Sequence, residues 1–130
     1  MSFLKMILIA TVLFFAIDML WLGVVAKKFY KKELKEVMAP KVNWVAAMLF
    51  YFIFIVGLTF FVIEPAIRNT DVLYAMFAGA FFGLVCYATY DLTNLATSKN
   101  WSVKLTVVDL IWGSTLSFLV SMLTYFVYFI

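Results

Sequence analysis

Apolar residues run almost unbroken through four stretches of the chain, about 3–26, 43–63, 72–97 and 103–129, and polar residues collect in the short gaps between them. A bilayer hydrocarbon core about 30 Å thick is crossed by roughly 20 apolar helical residues. The pattern therefore predicts an all-α integral membrane protein, a four transmembrane helix bundle occupying residues 1–130 as a single domain. The gaps carry stop signals: the lysine run and Pro40 after the first stretch, Glu64-Pro65 after the second, and Ser98-Lys99-Asn100 after the third. Asn43, Asp71 and Ser102 stand where helix N-caps belong. The first stretch is longer than the core of a signal peptide and has no small-residue cleavage site, so it reads as a retained helix.

The gap at 27–41, KKFYKKELKEVMAPK, has its own pattern. Tyr30, Leu34, Val37 and Met38 fall at i, i+4, i+7 and i+8, and lysines with Glu33 and Glu36 fill most other positions. This spacing predicts a short amphipathic interfacial helix lying in the headgroup region. Its plain role is an anchoring collar; recognition of anionic lipid or of a partner is the functional alternative.

Composition fits the same class. The chain is 67% hydrophobic and 13% charged, against about 45–50% and about 25% in soluble domains. Nine of the ten basic residues are lysine, and six of these lie between Lys27 and Lys41. With everything around it embedded in lipid, that cluster points to anionic lipid headgroups and away from nucleic acid, with Lys27, Lys28, Lys31, Lys32 and Lys35 as the contacting surface. The loops after the first and third helices, with the start of the fourth, hold eight basic residues; the opposite side holds Lys5, Arg68 and the amino terminus. The positive-inside rule places the lysine-rich side in the cytoplasm and both termini outside, and this imbalance argues against dual-topology insertion. The chain has no histidine, which excludes haem, histidine-ligated zinc or iron, and imidazole-dependent triads. No metal-ligand set and no cofactor motif emerges. The lone Cys86 forms no internal disulfide and reads as packing.

Three acids, Asp18, Asp91 and Asp109, interrupt the apolar stretches, each costing about 2.5–3.5 kcal/mol at the bilayer centre. They lie nine residues before Lys27, eight before Lys99 and five after Lys104. These intervals are about 13, 12 and 8 Å along a helix, so all three acids fall in the cytoplasmic half. No basic residue shares their depth, because Lys104 snorkels to the headgroups. The acids then need a proton, hydrogen-bond donors, a bound cation or a wet cavity. Donors are spaced to serve them within their own helices. Tyr87 and Asn94 are at i−4 and i+3 from Asp91, with Tyr90 beside it, while Trp21 and Trp112 are each at i+3 from Asp18 and Asp109.

Asp18-Met19-Leu20-Trp21 and Asp109-Leu110-Ile111-Trp112 form a four-residue echo in antiparallel helices, consistent with coincidence, a shared carboxylate–indole bond or inverted symmetry. Gly79 and Gly83 let the third helix approach a neighbour on the face that carries Tyr87, Asp91 and Asn94. Packing within the bundle is expected there, with a homo-oligomer as the alternative. Trp44 and Trp101 suit the interfacial belt. The expected site is a cytoplasm-open pocket walled by Asp18, Asp91 and Asp109 with aromatic side chains; a structural network that only locks the helices is the plainer reading.

Phe29-Tyr30 with Leu34, YDLTNLAT (Tyr90 to Thr97) and VDLIWG (Val108 to Gly113) carry a resemblance, running nearly end to end, to a family of small bacterial inner-membrane proteins known only as a domain of unknown function. The resemblance implies a bacterial four-helix membrane protein and transfers no activity or site. Three functions fit the residues. One is binding or transport of a small amphipathic or cationic ligand, coupled to protons, with aromatic rings supplying cation–π faces. Another is a membrane-embedded lipid-modifying enzyme or lipid-binding accessory, in which the acids hold Mg²⁺ or act as acid and base. The third is a non-catalytic assembly subunit whose acids pair with a partner's basic residues.

Overall fold

The computed structural model describes residues 2–38 and 41–130. Pro40, expected to punctuate the first gap, lies outside the described residues. Four long helical spans cover Phe3–Val25, Trp44–Arg68, Val72–Thr97 and Val103–Tyr128, all long and apolar enough to cross a membrane. The described residues contain no strand, and the chain is an all-helical four-span membrane protein. In chain order the elements are α1 (Phe3–Leu20), a π-helical turn (Trp21–Val25), α2 (Lys27–Glu33), α3 (Trp44–Leu58), a second π-helical turn (Thr59–Ile63), α4 (Glu64–Arg68), α5 (Val72–Thr97) and α6 (Val103–Tyr128).

Side-chain caps set the starts of the long helices. The Asn43 carboxamide accepts from the Ala46 amide at 3.1 Å, the Asp71 carboxylate from the Tyr74 amide at 3.1 Å, and the Ser102 hydroxyl from the Leu105 amide at 2.9 Å. Each satisfies a first-turn N–H that the helix leaves unpaired.

Proline 65 does not end the second span. The chain widens into the π-helical turn at Thr59–Ile63 and continues through α4. The missing proline N–H leaves the Phe61 carbonyl, four residues back, without its helical donor. The Tyr74 hydroxyl, from the first turn of α5, fills that position at 2.8 Å. A helix inside lipid tolerates proline when a neighbour satisfies the freed carbonyl in this way.

The spans pack by four-residue stripes. Met6, Ala10 and Phe14 of α1 are buried in register, as are Ala75, Gly79 and Gly83 of α5, and α6 contributes Gly113, Ser117 and Ser121. Small residues bring α5 and α6 together. A Cβ on Gly83 would collide with the Gly113 carbonyl and the Ser117 side chain, and one on Gly79 would lie 2.7 Å from the Ser121 hydroxyl oxygen. Close backbone approach of this kind supplies the van der Waals contact that associates helices in lipid. The expected packing of Gly79 and Gly83 within the bundle is thus what the structure has.

The apolar core, with Phe14, Phe54, Leu58, Ile63, Ala66, Leu116 and Val120, occupies the half nearer the termini. At that end the Tyr128 hydroxyl accepts from the Ser2 amide at 2.8 Å, and the Tyr128 carbonyl accepts from the Lys5 ammonium at 3.0 Å. Toward the lysine-rich end the packing loosens, and no residue of α3 before Phe54 is buried.

Candidate functional site

The packing stripes carry the three acids into the looser half. Asp18 follows Met6, Ala10 and Phe14 at the next four-residue step; Asp91 lies two steps beyond Gly83; Asp109 lies one step before Gly113. Asp18 is 4% exposed and Asp91 1%. Asp109 is within direct electrostatic range of both others, which makes it the meeting point of the cluster.

Partners of the acids come from across the bundle. The Trp112 indole N–H of α6 donates to Asp18 Oδ1 at 3.2 Å. Trp112 stacks on Trp21 with centroids 4.5 Å apart and planes 11° from parallel. The Trp21 indole N–H donates to the Tyr30 hydroxyl at 3.3 Å, and that hydroxyl donates to Asp109 Oδ1 at 2.7 Å. A continuous chain of contacts thus joins the two acids: Asp18, Trp112, Trp21, Tyr30, Asp109. Tyr30 holds its proton tightly, because burial and then the bond to Asp109 push its hydroxyl above the ordinary tyrosine range, the indole bond from Trp21 opposing them. At neutral pH it is a donor.

A cavity of about 600 Å³ opens beside this chain, lined by Asp18 and Leu22 of the first span, Phe50 and Tyr51 of α3, Cys86, Tyr87 and Tyr90 of α5, and Asp109 and Trp112 of α6. Two carboxyls, four aromatic rings with hydroxyl or indole groups, and no basic side chain face it. Its volume is in the range of small-molecule sites. Gly113 shapes the wall, since a Cβ there would run into the Tyr87 ring. The Tyr90 ring, 62% exposed, meets Trp101 edge-on at 5.7 Å, while the Trp101 indole donates to Thr106 at 3.1 Å. By contrast, the apolar groove along Trp44, Val45, Met48 and Leu49 has no ionisable lining.

Several expected pairings are redrawn. Trp21 and Trp112 do not serve the acids of their own helices: Trp112 crosses to Asp18, and Tyr30 stands between Trp21 and Asp109. Helix spacing puts i and i+3 on one face but leaves open whether a neighbouring helix offers a better donor. Asp91 receives no bond from Tyr87 or Asn94; no amide, indole or hydroxyl donor reaches either of its buried oxygens among the described residues, and its one polar neighbour is the Asp109 carboxyl, close enough to share a proton with it. Asp91 is not a cavity wall, and neither Asn94 nor Trp21 lines the cavity.

The interfacial helix is shorter than its spacing predicts, ending at Glu33, so Leu34, Val37 and Met38 lie beyond it. Its Tyr30 is turned into the bundle and not toward lipid. Leu22, Phe50, Tyr51 and Cys86 are cavity residues that their surroundings in sequence conceal, because an apolar position in a span looks the same whether it faces lipid or a pocket. For Tyr30 a signal existed, a hydroxyl on the apolar face of a segment adjoining an acidic bundle. No group of three or more acidic or cysteine side chains among the described residues could hold a metal ion.

No curated protein and no solved structure matches the chain. A family described as a predicted membrane protein, DUF2177, matches residues 3–126, and its description assigns no ligand or reaction. This match takes in all three acids, the tyrosine and tryptophans that connect them and every wall of the cavity, and the chain belongs to that family of membrane proteins.

Proposed function

We propose that the cavity binds a small amphipathic cation in the cytoplasmic half of the membrane, its charge on Asp18 and Asp109 and its apolar part against the aromatic walls. The observation that carries this reading is the lining: two carboxyls and several π faces with no lysine or arginine to neutralise them. A desolvated cation there gains both ion pairing and ring quadrupole attraction. Access from the bilayer suits such a ligand, because the part of α3 that contributes Phe50 and Tyr51 has no buried residue. The lysine-rich end faces the cytoplasm in this arrangement, by the charge imbalance of the loops.

Asp91 gives the site its coupling to protons. A carboxylate sealed beside a second carboxyl, with no amide, indole or hydroxyl donor and no counter-ion, is costly, and taking up a proton that the pair can share removes that cost. Asp109, in range of Asp91 and exposed to the cavity, connects that proton to the ligand's charge. Transport by exchange of proton for cation follows if the chain assembles into an oligomer, since four helices alone are few for a transporter.

Calorimetric titration of tetraphenylphosphonium into the protein in lipid nanodiscs tests the reading, using two buffers of different ionisation enthalpy. Saturable binding with proton release, weakened at least about tenfold in Asp109→Asn and in Asp18→Asn (about 1.4 kcal/mol), is expected. Partitioning without saturation, equal in the wild type and both variants, would refute it.

A further inference from the structure

The segment after the first span has two unlike faces. Its inner side is fastened to the site: Tyr30 bonds Asp109 and Trp21, the Glu33 carboxylate accepts from the Ser102 hydroxyl that caps α6, and the Phe29 ring lies under the Lys104 ammonium at 5.7 Å. Its outer side presents Lys27, Lys28, Lys31, Lys32 and Lys35, all exposed and none in an ion pair among the described residues. The π-helical turn at Trp21–Val25, closed by the Ala26 amide donating to the Trp21 carbonyl at 2.7 Å, carries the chain from the span into this segment. Tyr30 itself does not line the cavity, so its bond to Asp109 Oδ1 does not block a ligand. It fixes the carboxyl from behind.

We infer that Tyr30 is a positioning residue through which an anionic bilayer surface sets the geometry of Asp109. This rests on the cavity reading above. Lysines near an anionic leaflet each gain about 1 kcal/mol. Lys31 and Lys32 directly follow Tyr30, so holding them at the headgroups favours the docked segment and the ordered carboxyl. Linkage makes the effect reciprocal: docking of the segment strengthens ligand binding, and bound ligand strengthens docking by the same factor. The partner is the anionic lipid surface as a whole, recognised by charge.

The test compares the wild type, Tyr30→Phe and Lys31→Gln/Lys32→Gln in nanodiscs of phosphatidylcholine alone and with about one third phosphatidylglycerol. Two readouts are taken: tetraphenylphosphonium affinity, and the rate at which neutral N-ethylmaleimide alkylates Cys86 on the cavity wall without ligand. Surface accumulation of the cation is common to wild type and Tyr30→Phe, so their affinity ratio reports the site. That ratio is expected to rise from about twofold in neutral discs to about tenfold in anionic ones. Anionic lipid is expected to slow Cys86 alkylation threefold or more in the wild type and to change neither variant. Tighter cation binding by Tyr30→Phe would overturn the inference by making the tyrosine a competitor for Asp109. Lipid dependence of Cys86 alkylation that is absent from the wild type, or equal in all three proteins, would overturn the coupling. No saturable cation binding by any protein, with the lipid- and Tyr30-dependent alkylation intact, would refute the ligand assignment and leave the coupling standing.

Discussion

Gly83 and Gly113 are the residues on which the site's geometry turns. Their backbones touch, and from that contact Asp91 and Asp109 follow at fixed helical steps toward the lysine-rich end. Gly83→Ala drives a methyl group into the Gly113 carbonyl and the Ser117 side chain and should cost roughly 1–3 kcal/mol, read as a lower melting temperature in detergent. Stability should divide the acids as well. Asp91→Leu removes a buried carboxyl that no amide, indole or hydroxyl donor serves and that crowds the Asp109 carboxyl, and should stabilise by roughly 1–3 kcal/mol, whereas Asp18→Leu strips the Trp112 indole of its acceptor and should destabilise. A fall in melting temperature for Asp91→Leu would show that this carboxyl is structurally satisfied. The presence and depth of the three acids are legible in the sequence, because charge in a span stands out against apolar neighbours. Their partners are not, since indole and hydroxyl donors are chosen by interhelical geometry that spacing along one helix cannot encode.

At the scale of elements, caps are the most local devices and are read correctly from single residues: Asn43, Asp71 and Ser102 each bond the amide three residues on. Proline 65 is misleading for the opposite reason. Whether it stops a helix depends on a donor nine residues later in sequence, the Tyr74 hydroxyl on Phe61. Tyr74→Phe should therefore cost about 0.5–1.5 kcal/mol and loosen the join between the second and third spans, measurable as faster amide exchange over 59–68. Unchanged exchange there would mean that the π-helical turn satisfies the Phe61 carbonyl without help. The basic segment shows the same limit. Its amphipathic spacing marks a surface helix, but only the fold reveals that the surface which takes its Tyr30 is the protein's own acidic site.

The whole molecule divides its work between two ends. The half near the termini is packed, with apolar and small residues interlocked and Tyr128 fastening the first span to the last. The lysine-rich half holds the acids, the aromatic chain between them and the cavity. Membrane class and four spans follow from composition and run length alone, whereas the cavity arises where the packing stripes run out of apolar residues and α3 parts from its neighbours. On the proposed function, a cation enters this cavity and is held by Asp18 and Asp109. Cys86, the single cysteine, lies on its wall and reports occupancy without any added group. The most direct measurement is the rate of Cys86 alkylation by N-ethylmaleimide in nanodiscs as tetraphenylphosphonium is raised, for the wild type and for Asp18→Asn/Asp109→Asn. Saturable protection of at least about tenfold is expected in the wild type and little in the double variant at the same concentrations. Equal rates at every concentration in both proteins would contradict it.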